Sequence, residues 1–309
     1  MQNSSFGLKR REFLRQTAIW TSAAGLISAA GLNPLAAAED GPKRALKKGI
    51  MWGTVGVKGS VLEKMKAVKA AGFDGAEMNS HMNQDEVVKA RDEVGITIPS
   101  VCNDRHWAKP LSDPNPAVRA EGLEALNQTL RDAKRYGAKS ILQVPAVVSK
   151  QTSYAEAYER AHAEISKAIP LAEDLGVKIS LENVWNRFLL SPMEAARFVD
   201  EFKSPMVGWH FDVGNIINFG FPEQWLRTLG SRVNMIHIKE FSNKKRDKEG
   251  LWSGFAVSLL EGDNDWPAVM KAVDEIGYRG GWLITEQGGG DTQEGLTDLA
   301  TRLGKIIAM

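Results

Sequence analysis

The sequence predicts an α/β protein folded as a (β/α)8 TIM barrel, and two observations favour this fold. Strand-like runs of apolar and β-branched residues alternate eight times with segments of 3.6-residue helical periodicity. Four acidic or imidazole residues also stand where predicted strands end, and the active sites of such barrels lie at the carboxyl ends of the strands. Eight βα pairs in strict order favour a closed parallel barrel over an open sheet.

The predicted elements follow one another from residue 49 onward. Strands are expected near 49–52, 75–79, 97–103, 140–145, 178–184, 207–212, 233–241 and 281–286. Helices are expected near 60–71, 84–93, 116–136, 154–175, 192–202, 222–228, 266–276 and 292–307. Glycines that can end a helix recur just before strands, at Gly72, Gly95, Gly137, Gly176 and Gly277. An open doubly wound sheet is the alternative, but no Gly-x-Gly-x-x-Gly turn follows the first strand.

The first 38 residues differ in character from the rest of the chain. Lys9-Arg10-Arg11-Glu12-Phe13-Leu14-Arg15 is followed by a moderately apolar run rich in alanine and glycine, and by Ala36-Ala37-Ala38. The run is too weak for a membrane span and fits a twin-arginine export signal cleaved after Ala38; an amphipathic N-terminal helix or anchor is the alternative. We therefore expect a signal peptide over 1–38, a linker over 39–45 and one catalytic barrel over 46–309. The protein is then periplasmic or otherwise exported, with the twin-arginine translocase as a partner.

Composition excludes several classes of protein. The chain has 309 residues with 43% hydrophobic and 25% charged residues, which is ordinary for a globular protein. The formal net charge of +1 gives no sign of nucleic-acid binding. Cys102 is the single cysteine, so an intrachain disulfide is excluded, and it is best interpreted as a small apolar residue on a buried strand. Whether the protein is a homo-oligomer stays open.

Four residues at the ends of successive strands predict a site for one divalent metal ion. They are Glu182, Asp212, His237 and Glu286, each directly after or within an apolar run. A carboxylate buried among apolar groups is costly unless something pairs with it. Ligation by carboxylates without sulfur favours Mn²⁺ or Mg²⁺, although Co²⁺ and Zn²⁺ also fit.

The loops after the strands combine polar side chains with tryptophans, as a sugar site requires. Hydroxyl groups need hydrogen-bonding partners, while the C–H face of a sugar ring packs on an aromatic surface. His210 lies two residues before Asp212 and faces the same way, either as a substrate contact or as an interior residue. The candidate substrate contacts are Trp52, Glu77, His106, Trp107, Trp185, Asn186, Arg187, His210 and Lys239.

Several motifs give the chain a resemblance to a known family. They are Ala71-Gly72-Phe73-Asp74-Gly75-Ala76-Glu77, Ser180-Leu181-Glu182-Asn183, Phe211-Asp212-Val213-Gly214-Asn215, Ile236-His237-Ile238-Lys239, Glu261-Gly262-Asp263-Asn264-Asp265-Trp266 and Ile284-Thr285-Glu286. The chain resembles the sugar phosphate isomerase/epimerase family with the xylose isomerase-like barrel. Within it, Arg105-His106-Trp107 and the stretch 182–192 resemble the hexulose-6-phosphate isomerase-like branch, next to the ketose 3-epimerases.

The resemblance implies roles for particular residues. Glu182, Asp212, His237 and Glu286 match the family's metal ligands, and Glu182 and Glu286 match its acid/base pair on opposite sides of the substrate. The implied reaction removes a proton next to a carbonyl to give an enediolate, and returns it to the other face or to the neighbouring carbon. Some relatives carry histidine where this chain has Asn215.

The export signal bears on the substrate, because phosphorylated sugars are usually made and used in the cytoplasm. We therefore expect a divalent-metal-dependent isomerase or epimerase of a free or keto sugar. A lyase acting on a 3-keto-glycoside shares the first chemical step, and a non-catalytic sugar-binding barrel is a further alternative that does not need both glutamates. A phosphoester hydrolase would need more histidine and a basic surface, and this chain has five histidines.

Overall fold

Eight parallel strands close into a barrel in the computed structural model, which describes residues 44–309. Each strand pairs with the next along the chain, and β1 pairs with β8. The strands are β1 (Lys47–Met51), β2 (Gly75–Asn79), β3 (Ser100–Cys102), β4 (Ser140–Gln143), β5 (Lys178–Glu182), β6 (Val207–Asp212), β7 (Val233–Ile238) and β8 (Trp282–Thr285). The predicted fold is confirmed.

Helices follow the strands on the outside of the barrel. They are α1 (Val61–Ala70), α2 (Gln84–Val94), α3 (Pro116–Tyr136), α4 (Tyr154–Leu175), α5 (Pro192–Glu201), α6 (Pro222–Leu229), α7 (Asn243–Glu249), α8 (Trp266–Glu275) and α9 (Gln293–Ile307). Most begin at a Ser, Thr, Asn or Asp whose side chain accepts a hydrogen bond from the first turn, as at Ser60 and Ser153. Gly95, Gly137 and Gly176 end α2, α3 and α4 in the left-handed conformation, with φ of 65°, 78° and 64°.

Alternation along the strands separates a core between barrel and helices from the barrel interior. On β6, Trp209 and Phe211 are fully buried in the hydrophobic core. His210 and Asp212, which alternate with them along the strand, are also fully buried but do not belong to that core. The interior therefore carries polar side chains, and the site lies at the carboxyl ends of the strands.

The structure differs from the prediction at two strands and one loop. β3 is shorter than expected, since Thr97 pairs with Gly75 only as an isolated bridge and Pro99 has no N–H to donate. β7 ends at Ile238, and the chain then forms α7 and a 3₁₀ turn, Leu251–Phe255, neither of which was predicted. The predicted signal peptide lies outside the described residues. Among residues 44–309, no helix is both long and apolar enough to cross a membrane.

Candidate metal centre and active site

The four predicted metal ligands come together at the carboxyl end of the barrel. Glu182 ends β5, Asp212 ends β6, His237 lies on β7 and Glu286 follows β8, so they form an arc over four adjacent strands. Asp212 and His237 are direct register partners. One ligand atom from each of the four residues lies within 4.8 Å of the others, which is the arrangement that a single cation requires.

His237 is held between carboxylates on both of its ring nitrogens. Its Nδ1 lies 3.1 Å from Glu182 Oε1 and 3.6 Å from Glu286 Oε2, while its Nε2 lies 2.8 Å from Glu77 Oε2. Glu77 is fully buried on β2, so it fixes the ring from below. With a proton on Nε2 donated to Glu77, Nδ1 is left free to act as a ligand, as in the carboxylate–histidine–metal arrangements of many metalloproteins.

Lys239 supplies positive charge beside the ligands. Its Nζ donates to Glu286 Oε2 at 2.9 Å and lies 3.6 Å from Asp212 Oδ2. Burial alone would raise the pKa of Glu286, but Lys239 and His237 outweigh it and hold that pKa well below its usual range. Burial raises the pKa of Glu182 and, more strongly, that of Asp212.

The donor set fits a divalent cation. Four carboxylates (Glu77, Glu182, Asp212 and Glu286) cluster around His237 and Lys239, and such clustering of negative charge costs free energy unless positive charge offsets it. Asp212 Oδ2 is buried and has no hydrogen-bond partner among the described residues, so one ligand atom is available. The carboxylates also raise the pKa of His237 well above its usual value against the effect of burial. A proton and a cation therefore compete for this cluster.

A cavity of about 320 Å³ opens above these ligands. Its lining is Met51, Cys102, His106, Trp107, Leu142, Glu182, Val184, Trp185, Asn215, His237, Lys239, Trp252, Phe255 and Glu286. Burial lowers the pKa of His106 to about 4, so its imidazole is neutral at pH 7. Two possible proton carriers, Glu182 and Glu286, therefore face a cavity that also offers neutral polar groups and aromatic rings.

Four of the predicted substrate contacts line this cavity. They are His106, Trp107, Trp185 and Lys239. Trp107 is half-exposed at the rim, and the indole N–H of Trp185 donates to the backbone oxygen of Asn215 at 2.8 Å. These positions are consistent with contact to a bound molecule.

The other five predicted contacts lie away from the cavity lining. Glu77 and His210 are fully buried one layer deeper in the barrel, and His210 packs against His237 with ring centroids 4.1 Å apart. Trp52 is buried under Lys64, and Asn186 donates to the backbone of Ala146. Arg187 is exposed, with φ of 61°. None of these five residues lines the cavity, and their contact with substrate stays a prediction.

Two aromatic residues of the cavity lining, Trp252 and Phe255, were not among the predicted site residues, and both lie in the unpredicted 3₁₀ turn after α7. One signal could have found them. The predicted helix at 266–276 begins 25 residues after the predicted strand end at 241, and a connection of that length in a compact domain is often functional.

Comparison with known proteins agrees with the fold and with the motifs. The profile described as "Xylose isomerase-like TIM barrel" matches residues 65–303, which is most of the chain. The chain belongs to the xylose isomerase-like TIM barrel family. Among curated proteins, the L-ribulose-5-phosphate 3-epimerase UlaE of Escherichia coli K12 is 24% identical over 256 residues, covering 78% of this chain and 84% of that protein.

Solved structures share the barrel at low sequence identity. The 3-keto-D-glucoside 4-epimerase YcjR from E. coli has a TM-score of 0.71 at 18% identity and covers 85% of this chain and 100% of its own. The D-allulose 3-epimerase from Methylomonas sp., solved with D-allulose, has a TM-score of 0.67 at 19% identity, covering 85% and 97%. At this identity the likeness establishes the xylose isomerase-like fold alone.

Replacing Glu77 by glutamine should weaken metal binding without unfolding this xylose isomerase-like barrel. Glutamine keeps the shape and can still accept from His237 Nε2, but the negative charge that makes His237 a better ligand is lost. We expect the affinity for Mn²⁺ to fall by about 10- to 100-fold, as measured by calorimetric titration after chelator treatment. Glu164→Gln is the matched control, since Glu164 is a buried glutamate on α4, paired with Lys167. Unchanged Mn²⁺ affinity in Glu77→Gln would show that Glu77 only fills space.

Proposed function

We propose that the protein is a divalent-metal-dependent sugar epimerase or isomerase that works through an enediolate on a free or keto sugar. The observation that carries this proposal is the position of Glu182 and Glu286. They stand at the two ends of the ligand arc, on β5 and just after β8, and both line the cavity. The family and the epimerase names of its relatives support the same class of reaction.

Glu182, Asp212, His237 and Glu286 would hold the metal ion, with Mn²⁺ or Mg²⁺ favoured by the three carboxylates. When bound, the ion supplies stabilisation of the negative charge that develops next to the abstracted proton, worth several kcal/mol.

Proton transfer falls to the two glutamates at the ends of the arc. Against the effect of burial, Lys239 and His237 lower the pKa of Glu286, whereas burial raises the pKa of Glu182. One group takes the proton from the carbon next to the carbonyl, and the other returns a proton from the opposite side or to the neighbouring carbon.

The charge of the cavity supports a substrate without phosphate. Lys239 is the sole Lys or Arg among the lining residues within 44–309, and it is engaged by Glu286 and Asp212. A phosphate group is usually bound by arginine forks, free lysines or helix N-termini. UlaE is named for a sugar phosphate, and YcjR and the Methylomonas enzyme for sugars without one. Export through the twin-arginine pathway, which we also propose, would place the enzyme where free sugars are met.

The test is exchange of substrate hydrogen with solvent deuterium, followed by NMR. Metal-loaded protein is incubated in D₂O with free ketohexoses, with keto-glucosides and with ketohexose phosphates. We expect deuterium at the carbon next to the carbonyl, and a kcat/KM at least tenfold higher for the unphosphorylated sugars. A strong preference for phosphates would contradict the substrate assignment, and loss of a leaving group in the product would identify a lyase.

A further inference from the structure

An aromatic surface extends from the cavity to solvent, and we call it the platform. It consists of Trp185 from the loop after β5 with Trp252 and Phe255 from the 3₁₀ turn after α7. Trp185 lies 4.9 Å from both Trp252 and Phe255, measured between ring centroids. Trp252 is 69% exposed although it lines the cavity. A large aromatic ring left in water at the mouth of a site is typical of a surface that binds something.

The platform begins one side chain away from the ligand arc. Lys239 Nζ, which donates to Glu286, lies 4.7 Å from the ring centroid of Phe255. Trp252 lies further out, with its ring centroid 6.4 Å from that of Phe255. A sugar ring that engages Glu286 would therefore lie next to Lys239 and Phe255, and Trp252 would face whatever is attached to that ring.

Hydrogen bonds tie the segment that carries Trp252 and Phe255 to the rest of the barrel. Gln287, the residue after Glu286, donates through Nε2 to the backbone oxygens of Phe255 and Val257 at 2.9 and 2.5 Å. Arg246 on α7 donates to Asn218 in the loop after β6 at 2.7 Å, which ties the segment to its neighbour. A surface held in place before binding loses little entropy when a ligand arrives.

We propose that the outer part of the platform, Trp252 with Trp185 beside it, forms an outer subsite for a second ring, joined by a glycosidic bond to the sugar that reacts next to Phe255. The flat indole faces suit the C–H face of a pyranose, while Trp107 borders the cavity from the loop after β3, which lies opposite β7 in an eight-stranded barrel. The inference rests on the proposed function for the identity of the inner, reacting ring.

A second ring also restricts the chemistry of the substrate. Where the reacting ring contributes the anomeric carbon of the glycosidic bond, that carbon is locked as an acetal, so the carbonyl needed for proton abstraction must come from an oxidised ring hydroxyl. The substrate class is then a keto-glycoside, and the reaction that supplies it is a dehydrogenation of a glycoside. Epimerisation itself removes one proton and returns one, so it needs no further oxidant.

The experiment measures sugar binding independently of turnover. Methyl β-cellobioside, methyl β-maltoside and methyl β-D-glucoside, whose anomeric carbons are all locked as acetals and which therefore offer no carbonyl, are titrated into metal-loaded wild-type protein by calorimetry. We expect at least one disaccharide to bind about tenfold more tightly than the methyl glucoside, and Trp252→Ala to remove most of that difference. With keto derivatives of the same sugars, Trp252→Ala should lower kcat/KM for the disaccharide about tenfold more than for the methyl glucoside.

Phe221→Ala is the matched control, because Phe221 is 62% exposed but lies outside the cavity lining. It should leave all these affinities unchanged. Equal binding of disaccharides and methyl glucoside by the wild type would overturn the subsite, as would a disaccharide preference that survives in Trp252→Ala. If Trp252→Ala changed the oligomeric state but not the binding of sugars, the platform would instead be a contact between copies of the chain. Absence of deuterium exchange with every keto sugar would defeat the proposed function, and the binding result would still decide the subsite.

Discussion

Replacing His237 by alanine should remove stoichiometric binding of a divalent cation while the barrel stays folded. His237 is the one nitrogen ligand of the set and touches two other ligands, at 3.1 Å from Glu182 and 3.6 Å from Glu286. We expect the loss of affinity to exceed the 10- to 100-fold typical of a residue that only supports a ligand. Metal content by elemental analysis and the affinity for Mn²⁺ by titration measure it, and circular dichroism reports the fold.

His81→Ala is the matched control for this variant. His81 also lies at the carboxyl end of the barrel, in the loop after β2. Its Nδ1 contacts Ser80 and Asp104 rather than the ligand arc. It should keep its metal. Wild-type protein purified without chelator and found to hold no stoichiometric divalent metal would refute the site, and so would full metal retention in His237→Ala.

The fold could be predicted because alternation and helix ends are local signals. The predicted strands and helices lie within a few residues of the observed ones over most of the chain. Helix α7 could not be predicted in this way, because Asn243-Lys244-Lys245-Arg246-Asp247-Lys248-Glu249 contains no apolar residue and has no hydrophobic period. Glu240 lies two residues beyond the end of β7, where the predicted strand would have continued. Its buried carboxylate accepts from Leu260, Asn264 and Trp266, which turns the chain away from the barrel.

The ligand arc could be predicted because its three carboxylates stand near strand ends and His237 interrupts an apolar strand, but the depth of each side chain within the barrel could not be predicted. Glu77 lies in the middle of β2, and His210 lies two residues before Asp212, which is about 6.6 Å further down a strand. Both share the inward direction of the ligands, so residue alternation alone places them with the substrate. Only the stacking of side chains in three dimensions shows that they support His237 from below.

Each of the single substitutions Glu182→Gln and Glu286→Gln should block net epimerisation. Glutamine keeps the shape of the side chain but cannot carry the proton, and loss of a general acid or base typically lowers kcat by about 10² to 10⁴. Because the two glutamates lie at opposite ends of the ligand arc, one single variant should still exchange the substrate's proton with solvent deuterium from its own side. Incorporation of deuterium is followed by NMR, and product formation is measured in parallel at equal metal occupancy. The two measurements separate the two roles.

Glu240→Gln is the control, since Glu240 is fully buried at the same end of the barrel but outside the cavity lining. The glutamine amide would face donors such as Trp266 Nε1, so this variant should lower the free energy of unfolding by about 1–3 kcal/mol with kcat within tenfold of wild type. Near-normal turnover in Glu286→Gln together with a large loss in Glu240→Gln would reverse the assignment.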